Sequence, residues 1–408
     1  MLYDRYSKPL LEDALQDTPV VLLHGPRQSG KTTLAKEIGG SKYHYITFDD
    51  DTELAAARHD PRGYIEDLPD FCILDEVQRV PELFPSIKMV VDKNRLPGRF
   101  LLTGSANILD LPRLSESLAG RMEIIHLRPL SQIEIEGNKC HFLYDAFNSN
   151  IKADFNSRLG DQLFDRVISG GFPEPFQRTN AKRQRAWYSS YLSVLIQKDI
   201  TEFANIHYSE EIPLLLSRVA NNTASLVNMS EINQGLSFDA KTAKSYVNLL
   251  KHLFLVDTLQ PWFSNRNKRL VKTPKIHIPD TGLLCALLKT TKAQLLADKT
   301  SMGPILESFI YSELRKQADW FDPELQFFHY RDKDQYEVDI IVQNGDGNLL
   351  GFEIKLAASV SEKDFKGLKR FQTQCSDKLL GGFVFYDGER TLSFGDNLKA
   401  VPIQALWH

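Results

Sequence analysis

The segment VVLLHGPRQSGKTTLAKEI, residues 20–38, decides the fold of the N-terminal part of this chain. It joins a continuous apolar run to a glycine-punctuated loop, and then to a run of residues that is compatible with a helix. The loop fits the pattern GxxxxGK[ST], in which backbone N–H groups and a helix N-terminus bind phosphates. Because the loop stands between a predicted strand and a predicted helix, the context favours a phosphate-binding loop over a chance match.

The residue types in this loop suit the chemistry of a nucleoside triphosphate. Glycine lets the backbone curve closely around phosphates, Lys31 would reach the β- and γ-phosphates, and Thr32 would be a ligand of Mg²⁺. ATP and Mg²⁺ are therefore the expected ligand and cofactor. The predicted ATP-binding residues of the loop are Gly25, Pro26, Arg27, Gln28, Ser29, Gly30, Lys31, Thr32 and Thr33.

A second apolar run, Phe71–Leu74, ends in the acids Asp75 and Glu76. Asp75 is predicted to bind the Mg²⁺ of the nucleotide, and Glu76 to polarise the attacking water, with Lys31 as a further catalytic residue. Two solvated acids at a strand end would have the same sequence. The preceding phosphate-binding loop favours the functional interpretation.

A third apolar run, Phe100–Leu102, leads into Thr103 and Ser105. One of these hydroxyls is predicted to contact the γ-phosphate or the attacking water, and Ser105 is counted among the ATP-binding residues. Capping of a strand end explains the same residues equally well.

Apolar runs alternate with helix-compatible stretches between residues 18 and 130. Strands that are buried on both faces have continuous apolar sequences, and alternation with helices indicates a parallel sheet covered on both sides. The fold class of this part is therefore α/β. The predicted strands are Val20–His24, Tyr45–Phe48, Phe71–Leu74, Phe100–Thr103 and Ile124–Leu127.

The whole-chain composition restricts the class of protein. A chain of 408 residues is expected to form about two or three domains. The net charge of −4 excludes a polycation, so a nucleic-acid surface would have to be local. The four cysteines form no CxxC pair, which argues against a disulfide framework and favours a reducing compartment. Without an apolar leader or a membrane-length apolar run, the expected location is the cytoplasm, with no membrane partner.

Several motifs together resemble one bacterial and archaeal family. They are GPRQSGKTTL at 25–34, ILDEVQRVPELF at 73–84, LLTGSAN at 101–107, LAGR at 118–121, RPLSQIEI at 128–135 and GGFPEP at 170–175. The chain resembles AAA-type ATPases that carry a C-terminal domain of originally unknown function with a restriction-endonuclease-like fold. The resemblance implies an AAA-type P-loop NTPase sheet, then a helical or winged-helix segment, and then an α+β nuclease-like domain.

The resemblance also implies a role for an arginine. In AAA proteins, an arginine near the position of Arg121 often reaches into the nucleotide site of a neighbouring subunit, with Arg113 as the second candidate here. A surface arginine paired with a nearby glutamate is the alternative. A homo-oligomer, such as a ring, is the arrangement that the resemblance suggests for Arg121 as a catalytic residue.

The middle of the chain predicts a helix-turn-helix. Ser230–Gln234 and Asp239–Leu255 are the two helices, joined by a turn that contains Gly235. A basic, aromatic-flanked stretch follows, as expected for contact with a nucleic-acid backbone, so DNA is the expected partner. Packing between domains and a solvated basic face are the alternatives. The predicted nucleic-acid-binding residues are Lys241, Lys244, Arg266, Lys268, Arg269 and Lys272.

The C-terminal part predicts a β-hairpin with its turn at 343–348. Centred on Asp346, the hairpin would place Asp339 opposite Glu353. Like charges directly opposite are unfavourable, and a divalent cation such as Mg²⁺ or Mn²⁺ would relieve the repulsion. Lys355 would then stand beside the metal and act on water.

This pattern resembles the PD-(D/E)XK nuclease core, whose first acid usually comes from a preceding helix. Glu307 fits that position as a further metal ligand. Alternating strands with ExK also arise by chance, and inactive members of the fold exist, so both an active and an inactive site stay open.

The expected domains are an ATPase domain at 1–135, a helical region at 136–210, a winged-helix-like segment at 211–295 and a nuclease-like domain at 296–408. The first hypothesis is an ATPase that hydrolyses ATP and controls a DNA-directed nuclease. The second is an ATP-dependent binding module whose nuclease-like domain is inactive. A DNA-free protein-remodelling ATPase is a third hypothesis, which the basic stretch disfavours.

Overall fold

The computed structural model describes residues 2–105, 118–151, 153–178, 180–203, 209–263 and 273–408. The chain divides into two compact units. The N-terminal unit comprises Met1–Leu130 with His252–Phe254, and the C-terminal unit comprises Ser131–Lys251 with Leu255–His408. The break after Leu130 lies close to the domain boundary expected at residue 135.

The N-terminal unit is built on a five-stranded parallel sheet in the order β2-β3-β4-β1-β5. Its strands are β1 Val20–His24, β2 His44–Thr47, β3 Cys72–Asp75, β4 Phe100–Gly104 and β5 Met122–His126. Its helices are α1 Lys8–Asp17, α2 Lys31–Gly39, α3 Asp51–His59, α4 Pro61–Glu66 and α5 Leu83–Lys93. The predicted strands and the α/β class of this part are confirmed, with small differences at the strand ends.

Both faces of this sheet are covered, as the continuous apolar runs predict. Every residue of β1 is buried. Val20 and Leu22 pack into one core cluster, and Val21 and Leu23 pack into the cluster on the other face. Alternate side chains of a strand point to opposite faces, so β1 contributes to both layers.

The C-terminal unit contains a mixed sheet of nine strands in the order β13-β14-β12-β11-β10-β9-β7-β8-β6. Its strands are β6 Ser225–Leu226, β7 Asp257–Pro261, β8 Lys275–His277, β9 Gln326–Arg331, β10 Glu337–Gln343, β11 Leu349–Ile354, β12 Leu379–Tyr386, β13 Leu392–Gly395 and β14 Leu398–Pro402. Its helices are α6 Gln132–Glu136, α7 Phe142–Phe147, α8 Asp161–Ser169, α9 Ala181–Phe203, α10 Ile212–Asn221, α11 Met229–Asn233, α12 Ala240–His252, α13 Thr281–Leu287, α14 Lys292–Ala297, α15 Met302–Phe321 and α16 Lys366–Cys375.

This sheet runs across the boundary that the sequence places after residue 295. β7 pairs with β9 in parallel, with Gln260 opposite Phe328 and Pro261 opposite His329. The segments on either side of that boundary therefore share one hydrogen-bonded sheet, and no separation of compact units occurs there.

The two helices and the turn predicted around Gly235 are present as α11 and α12. Gly235 has a φ of +73°, the left-handed conformation that favours glycine in a tight turn. Ala243, Val247 and Leu250 of α12 are buried, as their helical spacing predicts.

The predicted hairpin is formed by β10 and β11, and its register is the expected one. The paired residues run from Ile340 with Phe352 to Gln343 with Leu349, so the ladder is centred on Asp346. Asp339 and Glu353 come next at the open end of this ladder, and they are equally far along the chain from Asp346.

Candidate functional site

The loop between β1 and α2 has backbone conformations that its sequence makes possible. Gly30 precedes α2 with a φ of +102°, and Gln28 also has a positive φ of 59°. A side chain at Gly25 would place its Cβ 2.1 Å from the carbonyl oxygen of Leu127. The loop therefore needs glycine at both ends, as the phosphate-binding pattern requires. Pro26 and Ser29 are buried, whereas Gln28 and Thr33 are exposed, and Arg27 is half-buried.

Lys31 lies inside the curve of this loop. Its Nζ donates to the carbonyl oxygens of Gly25 at 2.9 Å and Pro26 at 2.8 Å, and the residue is only 4% exposed. Burial lowers the pKa of Lys31 to about 8, against the opposing pull of Glu76 and Asp75. An ammonium held in this way would gain from a nearby anion, because phosphate would replace the charge stabilisation that burial removes.

Asp75, at the end of β3, is the centre of a group of hydroxyls. Thr32 Oγ1 donates to its two carboxylate oxygens at 3.1 and 3.2 Å, and the Tyr45 hydroxyl donates to Oδ2 at 2.7 Å. Thr103 Oγ1 donates to Oδ1. The sheet order places β4 between β1 and β3, so these residues meet at the carboxyl ends of parallel strands. The Thr32 hydroxyl and the Asp75 carboxylate are oxygen donors, which suit Mg²⁺.

Glu76 is held in an unusual backbone conformation. Its φ of 57° lies in the left-handed region, which is rare for residues other than glycine and concentrates at functional sites. Its N–H donates to Thr103 Oγ1 at 3.2 Å. Its carboxylate accepts from Ser105 Oγ at 2.9 Å and from the Gln78 side-chain amide, which also donates to Ser105 at 3.0 Å. The structure therefore brings the predicted residue Ser105 into contact with Glu76.

Arg121 does not join this group within its own chain. Its guanidinium binds the carboxylate of Asp92 through two nitrogens at 2.5 and 2.9 Å, and it donates to the Ala119 carbonyl at 3.0 Å. Its own carbonyl accepts from the N–H of Val20, at the start of β1. Arg121 thus lies at the amino ends of the parallel strands, at the opposite end of the sheet from the carboxyl ends where the other residues meet. Arg113 lies outside the described residues.

Three residues at this site were not predicted from the sequence as site residues. Arg5 donates from Nη1 to the Ser29 carbonyl at 2.7 Å and from Nη2 to the Arg128 carbonyl at 2.6 Å, which fixes the loop from a distant segment. Tyr45 stands on a neighbouring strand, and only the strand order shows that it reaches Asp75. Gln78 was the easiest of the three to predict from the sequence, because it follows Glu76 by only two positions.

A second polar cluster lies in the C-terminal unit. Lys275 Nζ, from β8, donates to Glu307 Oε1 at 2.9 Å and to Asp339 Oδ1 at 3.3 Å. Lys355 Nζ donates to Glu353 Oε1 at 2.7 Å. The predicted residues Glu307, Asp339, Glu353 and Lys355 are therefore brought together, with Lys275 added to them. Sequence analysis missed Lys275, which stands in a three-residue strand with no motif.

The charges of this cluster are strongly perturbed. Burial, with repulsion from Asp339, raises the pKa of Glu307 and of Glu353 to about 8. Burial lowers the pKa of Lys275, but Glu307 and Asp339 outweigh it, so the net shift is upward. An ammonium already stands between the acids that were predicted to hold a metal. Within the described ranges, no three or more His, Cys, Asp or Glu side chains are arranged as ligands of one metal ion.

The predicted nucleic-acid residues are only in part described. Lys241 and Lys244 are exposed on α12, away from its buried stripe. The basic residues Arg266, Lys268, Arg269 and Lys272 lie outside the described residues. Across the part of the chain that the structure covers, no helix is both long and apolar enough to span a bilayer.

Comparison with known families assigns the segments of the chain separately. A family described as an AAA domain matches residues 17–136. A domain of unknown function, DUF8612, matches residues 160–294, and another, DUF4143, matches residues 302–406.

Two curated relatives resemble almost the whole chain. They are the uncharacterised proteins Rv2008c of Mycobacterium tuberculosis and Mb2031c of Mycobacterium bovis. Each is 31% identical over 394 residues, which cover 96% of this chain and 82% of the relative.

Among solved structures, the Walker-type ATPase PABY2304 of Pyrococcus abyssi is similar to 70% of this chain and 96% of its own, with 16% identity and a TM-score of 0.44. Aeropyrum pernix ORC1, solved in complex with DNA, is similar to 72% of this chain and 95% of its own, with 14% identity and a TM-score of 0.29. At TM-scores this low, neither likeness carries an argument.

The parallel sheet, the phosphate-binding loop and the AAA match define the N-terminal part as a P-loop NTPase domain of the AAA type. The chain belongs to the same family as the mycobacterial proteins Rv2008c and Mb2031c, with which it shares nearly its full length.

Proposed function

We propose that this protein binds ATP with Mg²⁺ at the loop between β1 and α2, and hydrolyses it. The observation that carries the proposal is the convergence of Lys31, Thr32, Asp75 and Glu76 at the carboxyl ends of β1 and β3. These residues supply a buried ammonium, two oxygen ligands and a carboxylate, which are the groups that phosphoryl transfer to water requires.

Each side chain has a defined task in this proposal. The loop N–H groups and Lys31 bind the β- and γ-phosphates and offset their charge. Thr32 and Asp75 would hold Mg²⁺, which neutralises charge on the phosphates when bound. Glu76 orients and polarises the attacking water, and its contacts with Ser105 and Gln78 fix the direction of its carboxylate.

We propose that Arg121 contributes to the nucleotide site of a neighbouring subunit in a homo-oligomer. Its position at the opposite end of the sheet suits a role outside its own site. Its guanidinium would have to exchange Asp92 for the phosphates of the neighbour.

The direct test measures ATP binding and phosphate release separately. Lys31→Ala is expected to weaken the binding of a fluorescent ATP analogue by roughly 100-fold or more, because the phosphates lose their buried counter-charge. Glu76→Gln is expected to keep binding but to lose about 100-fold or more in kcat. Lys8→Ala, which removes a surface lysine paired with Glu37, is the matched control. Phosphate release that persists in both site variants would refute the proposed hydrolysis site.

A second proposed activity is DNA binding by the middle segment. Helix α10, strand β6, helices α11 and α12, and strands β7 and β8 follow one another, and the strands pair in the order β6-β8-β7. This arrangement supports a winged helix, with α12 presenting Lys241 and Lys244 to DNA and the basic residues of 266–272 following it.

DNA binding is tested by its salt dependence. Lys241→Gln with Lys244→Gln is expected to reduce the slope of log Kd against log salt by about two, because each lysine that contacts a phosphate contributes about one. The pair Lys139→Gln with Lys299→Gln, which are exposed lysines elsewhere in the same unit, is the control. Equal slopes for the wild type and the α12 variant would exclude α12 from the DNA-binding surface.

We further propose that the C-terminal part has a restriction-endonuclease-like core that does not cleave. The succession α15-β9-β10-β11-α16-β12, with β11 and β12 parallel, supports that fold. The acids at its centre do not fit a divalent cation, because Lys275 lies between two of them. Cleavage of DNA in Mg²⁺ or Mn²⁺ that disappears in Lys355→Ala would contradict this proposal.

A further inference from the structure

Lys275 is buried at the centre of an acidic cluster that another segment of the chain provides. Its side chain is 6% exposed, and those of Glu307 and Asp339 are 13% and 14% exposed. Its Nζ bridges the two carboxylates at 2.9 and 3.3 Å. Lys275 belongs to the segment matched by DUF8612, whereas both acids belong to the segment matched by DUF4143.

Two further oxygens of the cluster accept from donors of the chain itself, whereas Glu353 Oε2 is buried without a hydrogen-bond partner. Asp339 Oδ2 accepts from the N–H of Ile354 at 2.9 Å, and Glu353 Oε1 accepts from Lys355 at 2.7 Å. Mg²⁺ has octahedral oxygen coordination, in which a protein commonly supplies about one or two carboxylates and water supplies the other ligands. The Lys275 ammonium lies between Glu307 and Asp339, where a divalent ion would have to bind them. The one unpartnered oxygen, Glu353 Oε2, does not make a site by itself, so the donor chemistry disagrees with the metal that the sequence predicted.

The geometry points to Lys275 as the built-in cation of this cluster, in the place where a divalent metal ion was expected. The ammonium offsets the charge of Glu307 and Asp339 and ties β8 to α15 and β10. The wild-type cluster therefore takes no divalent cation, and removal of the ammonium opens a latent metal site on Glu307, Asp339 and Glu353.

The strand pairing explains how a lysine from one segment reaches acids of another. β8 pairs with β7, and β7 pairs with β9, which lies beside β10 in the same sheet. Lys275 begins β8 and Asp339 lies within β10, so the shared sheet carries the ammonium to the acids. The lysine thereby joins the middle segment to the C-terminal cluster.

The test replaces the charge and keeps the volume. Lys275→Met leaves the buried Glu307 and Asp339 side chains without their ammonium partner, and we expect Tm to fall by roughly 5 °C or more. Millimolar Mn²⁺ should recover most of that loss in Lys275→Met and change the wild type little, because a ligand that binds only the folded state stabilises it. Lys275→Arg, which keeps a positive charge, is the matched control and should gain no Mn²⁺ site.

Binding is counted by the loss of the free Mn²⁺ signal in electron paramagnetic resonance, on nucleotide-free full-length protein. Lys275→Met should bind one Mn²⁺ more than the wild type, and Lys275→Met with Asp339→Asn should lose that ion. Any Mn²⁺ held at the ATP site is common to all variants and cancels, so the outcome is separate from that of the proposed ATPase.

Two results would overturn the inference. One is a wild-type Mn²⁺ site that disappears in Asp339→Asn, because the acids would then bind metal beside the lysine. The other is a folded Lys275→Met that gains no ion. If Lys275→Met does not fold, the comparison of Mn²⁺ binding by the wild type and by Asp339→Asn decides alone. An ion that binds the wild type and is lost in Asp339→Asn refutes the inference, and equal binding by the two proteins supports it.

Discussion

Thr32 Oγ1 donates to both carboxylate oxygens of Asp75, at 3.1 and 3.2 Å, across a separation of 43 residues. The contact joins the first turn of α2 to the end of β3. It sets side by side the two oxygen donors that the sequence assigned to Mg²⁺. Because Tyr45 and Thr103 also donate to Asp75, the carboxylate has a fixed orientation, and the Thr32 hydroxyl is the member of the pair to vary.

Two substitutions of Thr32 test the role of its hydroxyl oxygen and the role of its side-chain shape separately. Thr32→Val keeps the branched shape and removes the hydroxyl, so we expect kcat/KM for Mg²⁺-ATP to fall by roughly 100-fold. Thr32→Ser keeps the hydroxyl and should stay within about tenfold of the wild type. Steady-state phosphate release over a range of Mg²⁺ concentrations measures both. Equal activity of the Val and Ser variants would exclude Thr32 from the metal site.

The part of this site that could be predicted from the sequence depends on local pattern. The loop around Lys31 and the acids after β3 follow apolar runs whose strand character is evident from a few residues. The hairpin register was also predictable, because the turn fixes which residues of β10 and β11 face each other.

Two of the missed residues act over long sequence distances that no local pattern reports. Arg5 reaches a carbonyl 123 positions away, and Lys275 reaches Asp339 across 64 positions. The prediction of a metal between Asp339 and Glu353 rested on like charges that face each other in a hairpin. It could not include a counter-charge delivered by a strand of a different segment.

Gly25 offers a test of the loop backbone. Because a Cβ at this position would lie 2.1 Å from the carbonyl oxygen of Leu127, Gly25→Ala must displace either the loop or the chain after β5. We expect weaker nucleotide binding and a lower Tm, with a stability loss of about 3 kcal/mol or more. Fluorescent-nucleotide titration and thermal unfolding measure the two effects.

Gly303→Ala is the matched control for this substitution. Gly303 lies in α15, and a Cβ there meets no atom within 4 Å. Alanine favours a helix over glycine by up to about 1 kcal/mol, but Pro304 follows and disfavours a helical conformation for a residue with a Cβ at 303. The two effects oppose each other, so this variant should stay close to the wild type in Tm and keep nucleotide affinity. A Gly25→Ala protein that behaves like Gly303→Ala would show that the close approach to Leu127 is not needed.

Gln78 is expected to act on kcat through Glu76. Its side-chain amide and the Ser105 hydroxyl both donate to the Glu76 carboxylate, and they fix the direction in which that carboxylate meets water. Gln78→Leu should lower kcat by about tenfold with little change in KM, because orientation is lost while the phosphate contacts remain. Gln78→Glu, of similar size, should lower kcat further by placing a second negative charge beside Glu76. A change confined to KM would instead assign Gln78 to substrate binding.

His277 makes the C-terminal unit sensitive to acid. The ring is fully buried and stacks on Tyr311 at 4.5 Å between centroids, with Nδ1 3.0 Å from Ser308 Oγ. Burial, reinforced by the charge of Lys275, lowers the pKa of His277 from 6.5 to about 3. Between these two pH values the unfolded chain binds a proton that the folded chain does not. The stabilisation by neutral His277 is therefore complete above pH 6.5 and is lost as the pH falls toward 3.

At about pH 5 the free energy of unfolding is expected to be about 2 kcal/mol lower, because each pKa unit represents about 1.36 kcal/mol. His277→Gln retains an amide for Ser308 but does not titrate, so the comparison isolates the contribution of His277. Glu307 and Glu353, whose pKa values are raised, change the free energy of unfolding in the opposite direction as the pH falls, and they are present in both proteins. Thermal unfolding at about pH 7.5 and about pH 5 should show a Tm decrease that is roughly 4 °C larger in the wild type than in His277→Gln. Identical decreases in the two proteins would mean that His277 takes up its proton in the folded state, and that its burial does not exclude the charged form.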